Sequence, residues 1–139
     1  MVDFIEWKDE FSVYIEEIDN QHKHLVELLN ELNSAMRIGK GRQVVGKIIE
    51  ELIAYTQYHF STEEKYFKMY NYEFTEEHTQ EHNEFIDKIQ KFQKEYEEGK
   101  LTVTIEVLEF LNAWVKHHIL GSDKKYVPYL ANKLSKSKN

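Results

Sequence analysis

"HFSTEEKYFKMYNYEFTEEHTQEH", residues 59–82, holds the end of one amphipathic helix, a turn, and the start of the next. On the face that should turn inward, the apolar rhythm is broken by ionisable groups. His59 and Glu63 stand before the turn, His78 and His82 after it. Side chains four apart on a helix share a face and lie about 6 Å from one another. Each pair can therefore aim two donors at one point between helices.

The same period extends in both directions. A first helix is predicted to open at Asp19 as its N-cap, to line up His22, Leu25, Leu29, Leu32 and Met36, and to stop at Gly39 and Gly41. A second runs from about Arg42 to Tyr70, with Val45, Ile48, Leu52, Tyr55, His59, Glu63 and Tyr66 inward. A third follows Thr75, read as its N-cap, and presents His78, His82, Phe85, Ile89, Phe92 and Tyr96 before Gly99 closes it. A fourth starts between Thr102 and Thr104 and carries Leu108, Leu111, Val115 and His118 inward to near Gly121. Long helices on short connections must run antiparallel to their neighbours. The expected fold is all-α, an up-down-up-down antiparallel four-helix bundle. One domain is expected over residues 1–139. Residues 1–18, with Phe4, Ile5, Trp7, Phe11, Val13, Ile15 and Ile18, form an extended leader packed along it. Residues 19–130 form the bundle and C-terminal segment, and 131–139 a frayed tail.

Composition narrows the function. The net charge is −7 and no dense Lys/Arg stripe occurs, which argues against nucleic acid or an anionic membrane as partner. No cysteine is present, so thiolate zinc sites and iron–sulfur clusters are excluded. No apolar run is long enough to span a bilayer, and the first residues, "MVDFIEWKDE", do not read as a signal peptide. A soluble, cytoplasmic monomer is expected.

Every inner stripe carries a metal-ligating residue: His22 on the first, His59 and Glu63 on the second, His78 and His82 on the third, His118 on the fourth, with Asp123 just past its last turn. In an antiparallel bundle all fall at one end. Burying five imidazoles and two carboxylates with no cation would be costly for each group, so a metal centre is expected. The set is too nitrogen-rich for calcium or magnesium and too large for one zinc. It suits two metals sharing the carboxylates. Two octahedral ions offer twelve positions; the histidines, two bridging carboxylates and one oxo or hydroxo bridge fill all but one. His24 and His117 fall off the stripes and are expected not to be ligands.

"IDNQHKHL" (18–25), "HFSTEE" (59–64), "HTQEHNEF" (78–85) and "WVKHHILGSDKKY" (114–126) together resemble the successive signatures of the hemerythrins, in particular the single-domain bacteriohemerythrins. The resemblance covers nearly the whole chain. It implies a non-haem di-iron centre with an oxo or hydroxo bridge that binds dioxygen reversibly, for storage, transport or delivery. His78, His82 and His118 would complete one iron, His22 and His59 the other, and Glu63 and Asp123 would bridge both. Trp114 and Ile119 are expected to exclude water around the site.

Three positions bear on that expectation. Tyr14 stands where the relatives usually carry glycine, which questions the leader's path. "NYEF" (71–74) lacks the usual proline and should loosen its turn. Gly121 should leave the site less shielded and favour autoxidation. Two other readings remain: a di-iron enzyme acting on peroxide or nitric oxide, and an oxygen or redox sensor read by a partner protein. Ferritin-like oxidases pair Glu-x-x-His, whereas this chain pairs His-x-x-x-Glu with His-x-x-x-His, which favours oxygen binding over enzymatic turnover.

Overall fold

The computed structural model describes residues 5–128, the side chains of Leu120 and Ser122 excepted. Phe4 and the frayed tail expected over 131–139 lie outside the described residues. Helix α1 spans Glu16–Arg37, α2 Gly41–Tyr70, α3 Thr75–Glu97 and α4 Val103–Trp114. A π-helical segment, Val115–Asp123, continues α4 without a break. No strand occurs among the described residues, and none of their helices is long and apolar enough to cross a membrane. Consecutive helices α1, α2 and α3 pack side by side, and α4 lies against all three. The four-helix bundle is as expected.

Two apolar clusters hold the bundle. The larger joins Leu25, Leu29 and Leu32 of α1 to Val45, Ile48 and Leu52 of α2, Phe85, Ile89 and Phe92 of α3, and Val107, Leu108 and Leu111 of α4. The smaller gathers Val13, Ile15, Ile18, Phe67, Tyr72 and Tyr126. Fully burying one such side chain is worth about 1.5–3 kcal/mol. Within α2 the inner stripe departs from expectation near its end: Phe67 is wholly buried and Tyr66 only partly, its hydroxyl lying 3.4 Å from Glu17.

The helix starts differ from the cap-based expectation. Helix α1 opens at Glu16, three residues before Asp19, with Ile15 at the cap position. Asp19 is free to serve the leader: it accepts the Ser12 hydroxyl at 2.5 Å and the Val13 N–H at 2.8 Å. Thr75 is likewise the first residue of α3 and not its cap, and its hydroxyl donates back to the Tyr72 carbonyl at 2.5 Å. The turn before it is closed. Asn71 takes the left-handed conformation (φ 55°) and the Tyr72 N–H reaches the Phe67 carbonyl at 3.0 Å, the glycine-like helix ending that asparagine tolerates. The missing proline therefore does not loosen the turn.

The leader is extended apart from one 3₁₀ turn, Asp9–Phe11. Asn30 pins its beginning, accepting from the Ile5 N–H and donating to the Ile5 carbonyl. Lys124 holds its end by donating to the Ser12 carbonyl at 2.7 Å. Between buried Val13 and Ile15, Tyr14 sits at φ 60° with its ring 70% exposed. Tyr14 thus keeps the leader's path by adopting a conformation suited to glycine. Left-handed geometry costs a side-chain-bearing residue about 1–2 kcal/mol. Tyr14→Gly should accordingly stabilise the fold by about 1 kcal/mol, read as a higher urea midpoint; a lower midpoint would mean that the Tyr14 ring packed against Lys124 outweighs the backbone strain.

Candidate metal centre

Between the two apolar clusters lies a polar layer, built by all four helices. His22, His59, Glu63, His78, His82, His118 and Asp123 are each at most 3% exposed. Helical spacing explains the first five. His118 and Asp123 need a different device. Five residues along an α-helix rotate a side chain by about 140°, so Asp123 would face away from His118. The π segment closes its turn five residues back instead of four. It brings Asp123 Oδ1 to 3.0 Å from His118 Nε2.

All five imidazoles turn Nε2 inward onto the two carboxylates. Glu63 Oε1 lies 3.0 Å from His82, 3.2 Å from His59 and 3.6 Å from His78. Asp123 lies 2.8 Å from His78 through Oδ1 and 2.9 Å from His22 through Oδ2. The Nε2 atoms of His22 and His59 are 3.2 Å apart. The ligand atoms form two sets, each confined within 4.8 Å. One draws on Glu63, His78, His82, His118 and Asp123, the other on His22, His59, Glu63 and Asp123. Both carboxylates belong to both sets. His24, 51% exposed, turns its ring toward Tyr55 rather than into the layer and pairs loosely with Glu27, and His117 is exposed.

Aromatic rings wall this layer. Phe60 stacks on His82 at 3.8 Å, Trp114 on His118 at 3.9 Å and Tyr55 on His59 at 4.9 Å, while Phe67 meets His78 edge-on. Ile119 is buried among the larger cluster. Gly121 is exposed, and a Cβ there would meet no atom within 4 Å and enter open space.

Residues 13–130 match the family model described as the hemerythrin HHE cation binding domain. The chain belongs to the hemerythrin family. It is 33% identical over 129 residues to the bacteriohemerythrin of Pseudomonas aeruginosa strain LESB58, a match covering 93% of this chain and 83% of the relative. It is 36% identical over 126 residues to the bacteriohemerythrin of Clostridium acetobutylicum, covering 87% and 97%. A crystal structure of wild-type hemerythrin superposes with a TM-score of 0.81 at 29% identity, covering 92% of this chain and 98% of the other.

The donor set of this hemerythrin fits a bound cation. His22 Nδ1, His78 Nε2, both ring nitrogens of His118 and both oxygens of Asp123 are buried without a hydrogen-bond partner among the described residues. Yet His78 Nε2 and Asp123 Oδ1 are only 2.8 Å apart. Atoms so close but not aligned as donor and acceptor are directed at a common third point. Native proteins rarely leave buried polar atoms in that state.

In the metal-free cluster, protons stand in for the cation. Burial opposes charging His78, but Asp123 and Glu63 outweigh it and push the imidazole up to about 10. Burial likewise opposes charging His118, and Asp123, Glu81 and Glu63 push it up to about 9. Burial holds His59 below its ordinary value despite Glu63. Burial also works against the Glu63 and Asp123 carboxylates, but the histidines prevail and hold both well below the ordinary range.

Several residues beyond the seven act on the site and had no signal in the helical pattern. Tyr126, fully buried, donates to Glu63 Oε2 at 2.6 Å; burial and then Glu63 push its phenol well above its usual value, so it stays protonated. Gln21 Oε1 meets His59 Nδ1 at 2.6 Å while its amide donates to Thr62. Glu64 and Glu81 lie 3.6 and 3.5 Å from the Nδ1 atoms of His82 and His118.

The folded-state values set how metal-free stability varies with pH. His78 and His118, raised above 6.5, contribute fully below pH 6.5, and that contribution is lost as pH rises through about 9 and about 10. His59, lowered, subtracts stability only as pH falls below 6.5, and the lowered carboxylates contribute above their ordinary values of 3.8 to 4.5. The thermal midpoint of the metal-free protein should therefore fall between pH 6.5 and 10; a rising midpoint across that interval would contradict the pairing.

Proposed function

We propose that this chain binds dioxygen reversibly at a pair of iron ions, as a carrier or store rather than as an enzyme. One observation carries the reading most directly: two overlapping sets of buried donors that share both carboxylates. His78, His82 and His118 would hold one ion, His22 and His59 the other, with Glu63 and Asp123 between them. A pair of ferrous ions, when bound, supplies the electrons for taking up dioxygen and recovers them on its release.

The protein's own part is to aim, to exclude water and to hold protons in place. The Nε2 atoms of five histidines are held inward by their helices. Gln21 fixes the His59 ring with Nδ1 as donor and Nε2 as the inward lone pair, the usual way a neighbour orients a metal-ligating histidine. Tyr126 keeps its proton and steadies Glu63. Phe60, Trp114, Phe67 and Ile119 seal the layer with apolar surface, which suits a site where stray protons would convert binding into oxidation. Five neutral nitrogens against two acids support the ferrous state over a strongly oxidised one. The hemerythrin family assignment supports the same choice.

Loaded with ferrous iron under nitrogen and then exposed to air, the protein should develop a visible charge-transfer band that disappears on degassing and returns on readmission of air. Irreversible passage to the ferric spectrum would exclude carriage. His82→Ala should lose most bound iron by elemental analysis, whereas His24→Ala, altered at an exposed position, should match the wild type; equal iron in the two would overturn the ligand assignment.

A further inference from the structure

The two halves of the polar layer are not backed alike. In the half built on His78, His82 and His118, the outward Nδ1 atoms of two rings face carboxylates: Glu64 at 3.6 Å from His82 and Glu81 at 3.5 Å from His118. Both glutamates are partly exposed, at 40% and 39%, while the imidazoles they face are buried. In the other half, His59 Nδ1 meets the neutral amide oxygen of Gln21 at 2.6 Å; His22 Nδ1, like the Nδ1 atoms of His82 and His118, makes no hydrogen bond among the described residues. The first half also offers five ligating residues, the second four.

Both differences act in one direction. A divalent ion is held more tightly where more donors converge and where outer carboxylates lie close enough to place negative charge behind the ligating imidazoles. An amide orients a ring but adds no net charge. The shared carboxylates make the halves compete: the first ion to arrive takes Glu63 and Asp123 with it, and the second ion finds their negative charge partly spent.

We infer that the centre fills in order, the His78–His82–His118 half first and the His22–His59 half second, with Glu64 and Glu81 as positioning residues that set the precedence. The inference rests on the proposed ligand set. Its consequence is a one-ion form in which His22 and His59 stand open beside an occupied neighbour. The second half is then the one that empties first when metal is scarce.

Cobalt(II) titration of the metal-free protein, followed by native mass spectrometry and visible ligand-field bands, tests the order. At one equivalent the one-ion species should predominate. Its band should persist in His22→Ala and be lost in His118→Ala, each variant checked for helical content. Glu64→Gln and Glu81→Gln, which keep shape and remove charge, should weaken the first step by about 10–100-fold and leave the second nearly unchanged. Gln21→Glu should strengthen the second step alone, by about tenfold or more. Only zero-ion and two-ion species at one equivalent would overturn the inference. So would a first band that survives His118→Ala but not His22→Ala, or glutamine variants that leave the first step unmoved. Failure of the wild type to bind either cobalt or ferrous ion would instead sink the ligand set itself.

Discussion

Seven ionisable side chains buried in one layer are the constraint on which the rest of the molecule turns. Two carboxylates and five imidazoles at most 3% exposed cannot be left to themselves in a low-dielectric interior. Breaking one such buried pair typically costs about 3–5 kcal/mol. The bundle answers by convergence, placing every acid within 3.6 Å of at least two imidazole nitrogens. The layer divides the core: apolar contacts resume on either side of it, and the larger cluster never merges with the smaller.

Backbone irregularity appears where this layer demands it. The π segment at Val115–Asp123 is the sharpest instance, because no regular helix could bring His118 and Asp123 onto one face. The left-handed residues Tyr14 and Asn71 fall beside the same end of the bundle, one bending the leader over it and the other ending α2. Asp19 and Lys124 then grip the leader at Ser12 and Val13. Lys124 follows Asp123 directly, so the covering segment is tied to the residue that completes the site.

Periodicity made the four helices, their inner stripes and six of the seven converging residues readable, because burial on a helix repeats every three to four positions; Asp123, five past His118, lay off that period. Ends were less readable. Asp19 and Thr75 have the right chemistry for helix caps, but their oxygens and hydroxyls are used by Ser12, Val13 and Tyr72 instead, partners set by tertiary packing. Tyr66 and Phe67 compete for one inward position, and it is filled by the ring that meets His78 and Tyr126 edge-on. Tyr126, Gln21, Glu64 and Glu81 reach the site from off-stripe or non-helical positions, which no period can mark. The π segment is invisible for the same reason: its sequence reads as ordinary helix.

The division of the core also has a bearing on the life of the chain in a cell. The larger cluster involves all four helices, whereas the smaller counts six buried residues among those described, drawn from the leader, the start of α1, the C-terminal end of α2 with its turn, and the segment around Tyr126. Without bound ions, the end closed by the smaller cluster would have fewer apolar contacts to hold it than the other. Local opening confined to the weaker end would offer the leader to proteases while leaving the histidines close enough to trap an arriving ion. Ion capture locks that end by mass action. On the di-iron reading proposed above, resistance of the leader to proteases would rise with occupancy of the centre.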